Sequence, residues 1–289
     1  MTGPVRTMVV WCADWPVVAA GITSTEAGAV FHANRVVASS EAARSVGVVR
    51  GLRRREAQRR CPELVIAERD LAGEARAFEE VLVAVEAFTP RLEVTQPGTC
   101  LFATRGPARY FGGDEALARL VVDAVAECLD GRTTVAIGVA DGVFAARIAA
   151  RAPEGGQIVE SGSSPDFLAP LPITILGQPD LTDVLWRLGL RTLGDFAALD
   201  RTDVMGRFAR EGAVAHARAA GRDERLPDAV DPPDDLTVTI ELDPPLERID
   251  QAAFAARQLA VELHDRLGRR GAACSRVTIE AETEHGETY

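Results

Sequence analysis

A chain of 289 residues with 47% hydrophobic and 26% charged residues has the make-up of a globular protein of about two domains, which excludes wholesale disorder. No uncharged apolar run approaches the ~18 residues of a membrane span. The five cysteines (Cys12, Cys61, Cys100, Cys128, Cys274) lie far apart without a Cys-x-x-Cys or Cys/His cluster, so neither a zinc site nor a disulfide framework is encoded. A reducing cytoplasm is the expected setting.

The net charge of −11 is unevenly spread, and all 32 basic residues are arginine. Between Arg35 and Arg60 stand eight arginines against Glu41 and Glu56, whereas residues 223–289 carry sixteen acids against seven arginines. The first stretch is a basic patch on an acidic protein, suited to a phosphate contact or to a solvated helix face.

Met8 to Trp11 reads as a buried strand, followed by a turn at Cys12-Ala13-Asp14-Trp15-Pro16 and a brief helix over Val17 to Ala20. Val30 to Ser39 reads as one strand. Ser40 can cap a helix over Glu41 to Ser45 that closes at Gly47. Arg54 to Arg60 forms another short helix and Leu64 to Ala67 a strand. A long helix over Leu71 to Phe88 turns Phe78, Leu82, Val85 and Phe88 inward. Leu92 to Val94 and Cys100 to Ala103 are strands joined through Gln96-Pro97-Gly98-Thr99, a turn by its Pro-Gly pair. Asp114 to Asp130 is a second long helix with Leu117, Leu120, Val121, Ala124 and Cys128 inward; Thr133 to Val139 is a strand running into a helix over Gly142 to Arg151. Helices on a sheet of several strands make an α+β layer domain.

Pro165 to Pro172 then marks a linker into a compact helical unit, with helices over Leu181 to Leu188, Thr192 to Leu199 and Thr202 to Gly206. Asp228 to Asp235 is an acidic, proline-bearing linker. Thr237 to Leu242 alternates as a strand, Gln251 to Leu267 is an amphipathic helix, and Arg276 to Glu282 alternates again. This last piece has too few strands for a finished domain, and a longer parent chain is expected.

The order of these elements resembles the core of the Y-family translesion DNA polymerases. The stretches that carry the resemblance are Ser39-Ser40-Glu41-Ala42-Ala43-Arg44-Ser45-Val46-Gly47-Val48, Val135-Ala136-Ile137-Gly138-Val139 with Phe144-Ala145-Ala146-Arg147-Ile148-Ala149, and Leu188-Gly189-Leu190-Arg191-Thr192-Leu193-Gly194-Asp195-Phe196. The resemblance implies a right-hand architecture: palm at 1–16 and 78–164, fingers at 17–77, helical thumb at 165–227, linker at 228–236, and an incomplete little finger at 237–289.

It also exposes a departure. Such polymerases hold two divalent metals with three carboxylates, since in-line phosphoryl transfer needs charge neutralised at the attacking and leaving oxygens. Alignment to the family puts Cys12, Gly98 and Thr99 at those three positions, so no metal and no cofactor is expected. The fingers tyrosine that touches the triphosphate becomes Glu41, the palm lysine that grips it becomes Val143, and the bulky sugar gate becomes Val17; Arg44 alone is kept. Asp14 is expected in a turn or capping role. The competing possibilities are an active nucleotidyltransferase with unusual ligands, such as Asp14 with Asp114 or Glu93, and a weak DNA-binding module.

Lost ligands beside a kept framework resemble the ImuB group, the Y-family-like members of bacterial damage-inducible mutagenesis cassettes, as does the Trp-Cys-Ala-Asp-Trp-Pro opening. The implied role is a non-catalytic adaptor, a polymerase-like pseudoenzyme. It would join an error-prone alpha-type DNA polymerase, a RecA-like accessory protein and the sliding clamp, the last through a segment beyond residue 289. The implied location is the cytoplasm, at the nucleoid after DNA damage. Candidate DNA or partner contacts are Arg53, Arg54, Arg55, Arg59 and Arg60 in the fingers, and the glycine turns at Gly177 and Gly189, where family thumbs bind phosphate through backbone amides. Any such DNA binding would be weak and strongly salt-dependent.

Overall fold

The computed structural model describes residues 3–153, 155–223, 227, 238–240, 242 and 249–269. The chain divides into two units, Met1–Ala229 and Val230–Tyr289.

In the first unit, β1 (Arg6–Cys12) leads into α1 (Trp15–Ala19), then β2 (Gly28–His32), β3 (Arg35–Ser39), α2 (Glu41–Ser45), α3 (Arg54–Arg60), β4 (Val65–Glu68) and α4 (Leu71–Glu86). Next come β5 (Glu93–Gln96), β6 (Thr99–Ala103), α5 (Arg105–Phe111), α6 (Asp114–Leu129), β7 (Val135–Asp141), α7 (Val143–Ala149) and β8 (Gly156–Ile158). The helical region holds α8 (Ser164–Leu168), a 3-10 turn at Ile173–Leu176, α9 (Pro179–Arg187), α10 (Leu193–Ala197) and α11 (Arg201–Ala219). In the second unit the described helix is α12 (Ile249–Arg269).

Five strands form one sheet in the order β5-β6-β1-β7-β8. β1 is central and antiparallel to both neighbours, with Val10 opposite Cys100 on one side and Ile137 on the other. Its run Met8-Val9-Val10 is apolar throughout because both faces of the sheet are covered. On one face α4 and α6 bury Phe78, Val81, Val85, Leu117, Val121, Val125 and Leu129 against Met8, Val10, Cys12, Cys100, Phe102 and Val139. Each fully buried Leu or Phe contributes about 1.5–3 kcal/mol, so this layer is a major store of stability.

The opposite face carries Val9, Leu101 and Ala140, and α7 lies on it through Ala145, Ala146 and Ala149. The same core continues into Leu168, Ile173, Leu185, Leu193 and Phe196 of the helical region. Residues as small as these let α7 sit close; a Cβ on Gly138 would stand 2.1 Å from the Ala150 amide nitrogen and 2.2 Å from the Ala146 carbonyl oxygen.

A second sheet, β3-β2-β4, packs with α2 and α3 around Ala29, Phe31, Val36, Ala43, Val48, Ala57 and Leu64. Ser40 caps α2 as its sequence implies, its hydroxyl accepting from the Ala43 amide, and Gly47 follows with φ +84.

Several expectations are corrected. Residues 30–39 are not one strand but a hairpin, turned at Ala33 and Asn34 with φ of 47° and 63°, the positive pair a two-residue hairpin loop requires. Leu120 is 42% exposed; Val125 and Leu129 take the inward positions on α6. The segment 165–172 is no plain linker, since α8 occupies its first half. α5, β8 and the 3-10 turn were not anticipated. The last thumb helix runs to Ala219 instead of Gly206, broken only at Ala209, where φ is 52°. α4 passes through the boundary drawn at residue 77, and α8 through the one at 164. Residues 238–240 and 242 carry no regular structure, so the strand expected over 237–242 is absent from its described part. The acidic linker at 228–236 and the strand over 276–282 lie outside the described residues.

Gly138→Ala is expected to cost about 3 kcal/mol, because backbone atoms of α7 on both sides of the new methyl have nowhere to go. Urea unfolding of the variant beside the parent chain measures this; an unchanged midpoint would refute the close seating of α7.

Candidate functional site

The residues expected to carry chemistry meet at the end of β1. Pairing sets Trp11 opposite Thr99, and the Cys12 amide donates to the Gly98 carbonyl at 2.9 Å. Strand alternation then separates neighbouring side chains. Cys12 joins the α4/α6 core with Cys100, whereas Trp11 packs on the α7 side. Burial pushes both thiols up, Cys100 to about 12 and Cys12 higher still, the latter also feeling Cys100, Cys128 and Glu80. A protonated thiol in the core behaves as a small hydrophobe and is a poor ligand for a hard cation.

Gly98 sits in the turn between β5 and β6 with φ +86. A Cβ there would stand 2.4 Å from the Trp15 Cβ and 3.3 Å from the Cys12 carbonyl oxygen. Trp15 is itself fixed: it is 2% exposed, its indole N–H donates to the Glu74 carbonyl at 2.9 Å, and its ring meets Phe78 edge-on at 5.1 Å. Thr99 is buried with an unpartnered hydroxyl. One neutral hydroxyl, a buried thiol and a glycine do not fit a two-metal centre, which needs anionic oxygens on both ions. Among the described residues, no group of three or more His, Cys, Asp or Glu side chains is placed to hold a metal ion.

The nucleotide-contact positions are only partly brought together. Arg44 reaches the strand end, but its guanidinium donates to Asp14 at 2.6 Å and also to the Ser39 carbonyl. Asp14 takes the turn role and not the capping one: it stands in a turn at the N-cap of α1 in a left-handed conformation, makes no side-chain cap bond, and gives its carboxylate to Arg44. Glu41 is exposed in the first turn of α2. Val17 is 2% exposed and packs with Ile22, Val30 and Ala38, a core position that joins α1 to the second sheet.

Val143 is the clear misplacement. It opens α7 next to Gly142, whose amide donates to the Val5 carbonyl beside the start of β1. The seven-residue strand separates it from Cys12 by about 20 Å. A second basic group at the strand end, besides Arg44, is Arg151, just past α7, with its guanidinium 5.6 Å from the Trp11 ring centroid. Desolvation first, then the charges of Arg147 and Arg50, lower its pKa. Arg151 is not among the sequence candidates; the legible signal is the Arg147/Arg151 pair at i, i+4. The proposed unusual ligands also fall apart. Asp114 pairs with Arg6 at 2.7 Å at the other end of β1, and Glu93 sits level with Val9 across the intervening β6.

In the fingers patch, Arg54 pairs with Glu68 at 2.8 Å and lies over the Phe31 ring, and Arg60 pairs with Glu56 at 2.9 Å and donates to the Gly47 carbonyl. Arg53, Arg55 and Arg59 remain as exposed cations. In the helical region, Gly177 and Gly189 are left-handed turns in open space, φ +68 and +87. The amides after Gly189 are already used: Leu190 donates to the Leu185 carbonyl, and Arg191 and Thr192 both donate to the Asp195 carboxylate at 2.9 Å. Those bonds hold Asp195 below the ordinary carboxylate range. At the Gly177 turn, Pro179 removes one donor and Asp180 places an anion in the first turn of α9.

Residues 13–151 match the model of the IMS (impB/mucB/samB) family. The chain is 26% identical over 231 residues to a DNA polymerase IV of Mesorhizobium japonicum, spanning 78% of this chain and 52% of that protein. It is 29% identical over 186 residues to the DNA polymerase IV of Caulobacter vibrioides, spanning 62% and 44%. The chain thus spans about half the length of the curated relatives it matches. Among solved structures, a Dbh ternary complex superposes with a TM-score of 0.64 at 18% identity, over 76% of this chain and 68% of the other. DinB from Sulfolobus solfataricus gives 0.62 at 17%, over 78% and 69%.

Gly98→Ala is expected to cost about 3 kcal/mol, combining a left-handed φ with displacement of Trp15. Gly131, with φ +72 and nothing within 4 Å, supplies the control, and Gly131→Ala should cost only about 1 kcal/mol. Equal losses in thermal or urea unfolding would show that Trp15 does not close the turn.

Proposed function

The chain is a homologue of the Y-family DNA polymerases with their α+β fold, and on that premise we propose that it is a non-catalytic member acting in translesion synthesis. It keeps the polymerase framework as a scaffold, in the manner of the ImuB group, for damage-induced mutagenesis. The partners proposed for it are an error-prone alpha-type polymerase, a RecA-like accessory protein and the sliding clamp.

One observation carries this reading: the turn that would present two of the three metal carboxylates is closed by Trp15 over Gly98. Loss of a carboxylate by point substitution leaves a gap that back-substitution refills. Here the gap is filled by an indole anchored to Glu74 and Phe78. The Asp14–Arg44 ion pair supports the same conclusion, because it engages the guanidinium that would otherwise meet a triphosphate. The exposed acid Glu41 adds repulsion toward any such group.

Primer extension tests the reading. The chain should incorporate no deoxynucleotide with magnesium or manganese. The triple variant Cys12→Asp, Gly98→Asp, Thr99→Glu should stay inactive, and less stable than the parent, since a carboxylate side chain at residue 98 displaces Trp15 and the buried acids repel one another. Incorporation by the parent chain that is abolished by Asp14→Ala would overturn the proposal.

A further inference from the structure

An aromatic groove opens at the other end of the five-stranded sheet. The Thr104 amide donates to the Arg6 carbonyl at 3.0 Å, so β6 hands over to α5 beside the start of β1. The seven-residue strand β1 puts this place about 20 Å from the Cys12 corner. Here the segment after α4 and the turns of α5 line a groove of about 330 Å³ that is open to solvent. Phe88 and Phe111 meet edge-on at 5.4 Å and rest on the core under α4 and α6. Tyr110 meets Phe111 edge-on at 4.8 Å yet is 83% exposed, a large ring held in place and otherwise bare. Pro90 and Pro107 stiffen the two walls.

α5 brings positive charge to one lip. With ~3.6 residues per turn, its row Arg105/Arg109 borders the row Gly106/Tyr110, which borders Pro107/Phe111. Both arginines are exposed, α5 contains no acid, and among the described residues neither arginine is paired with a carboxylate. On the opposite wall Glu86 and Arg91 flank the lining residues with charges that cancel.

We propose that this groove docks an acidic peptide segment of a partner protein. A leucine or aromatic side chain of the partner enters between Phe88, Tyr110 and Phe111, and carboxylates beside it pair with Arg105 and Arg109. The rings desolvate the apolar anchor, and exposed guanidinium forks donate to carboxylates in pairs. Little freedom is lost on docking, because the rings are already packed and the prolines fix the backbone. A nucleic-acid strand fits less well, since it needs cations along its length and α5 offers a single pair. The proposal deepens the scaffold reading, on which it rests for the existence of a partner.

The fluorescein-labelled peptide Asp-Glu-Asp-Leu-Asp-Glu-Trp-Leu-Asp-Glu is titrated into the full chain and followed by anisotropy. Saturable binding is expected, and it should vanish when the leucines and tryptophan of the peptide are replaced by alanine. Tyr110→Ala should weaken binding by at least about tenfold with the unfolding midpoint kept, since the ring is exposed. Arg105→Glu with Arg109→Glu should abolish binding of the acidic peptide and confer binding of its counterpart with lysine at every acidic position. Loss of the fold would not produce that reversal. No saturable binding of the acidic peptide overturns the proposal, as does parental affinity in both variants. Oligothymidylate bound more tightly than the peptide and released by the double variant would assign the groove to a strand instead. A dimer of the chain that Tyr110→Ala dissociates would assign it to a second copy, and either result overturns the proposal. Primer extension is read separately: incorporation there sinks the non-catalytic reading and leaves the peptide titration standing, whereas failed peptide binding leaves the catalytic question untouched.

Discussion

Trp15 ties together three parts of the chain that would otherwise meet around open space. Its indole N–H is bonded to α4, its ring rests on Phe78, and its Cβ occupies the volume that a side chain at residue 98 would need. The Cys12 amide and the Gly98 carbonyl close the same corner through the backbone. A buried aromatic of this size is worth several kcal/mol to the fold, so the corner is stabilised by the very packing that bars a carboxylate from it. The rest of the strand end follows. With no anion at residue 98 or 99, Cys12 can be a neutral core residue, and Asp14 is released to pair with Arg44.

On the proposed reading, the framework and the chemistry of this protein have separated. The central strand, its antiparallel neighbours and the helices on both faces depend on apolar alternation and on small residues such as Gly138, and these persist. Its polar groups are engaged within the chain: Asp14, beside the site, binds an arginine, and the amides of the Gly189 turn bind Asp195.

Much of this was legible in residues whose local chemistry is decisive. Ser40 reads as a cap and is one; Pro97-Gly98 reads as a turn and is one, with the positive φ that glycine permits. The hairpin at Ala33-Asn34 was not legible because alanine carries no turn signal, and the register of β2 against β3 imposes its conformation. α5 was hidden by Gly106-Pro107, which looks like a turn but is tolerated in the first turn of a helix. α11 continues through Gly206 because packing of its later turn, through Ala213, Ala215 and His216, outweighs the glycine. Within the site, the identities at Cys12, Gly98 and Thr99 were readable, but not which end of α7 approaches them. That depends on β7 running antiparallel to β1, which places Val143 at one end of the strand and Arg151 at the other. Nor does any sequence pattern announce that Trp15 fills the corner, since contact between residues 15 and 98 is purely tertiary.

Anomalous diffraction from a crystal of the chain soaked in manganese examines that corner most directly. The account predicts no peak within about 3 Å of the Cys12 Sγ, the Thr99 Oγ1 or the Gly98 carbonyl oxygen, with Trp15 in place against Gly98. A manganese peak coordinated there, with the indole displaced, would contradict it.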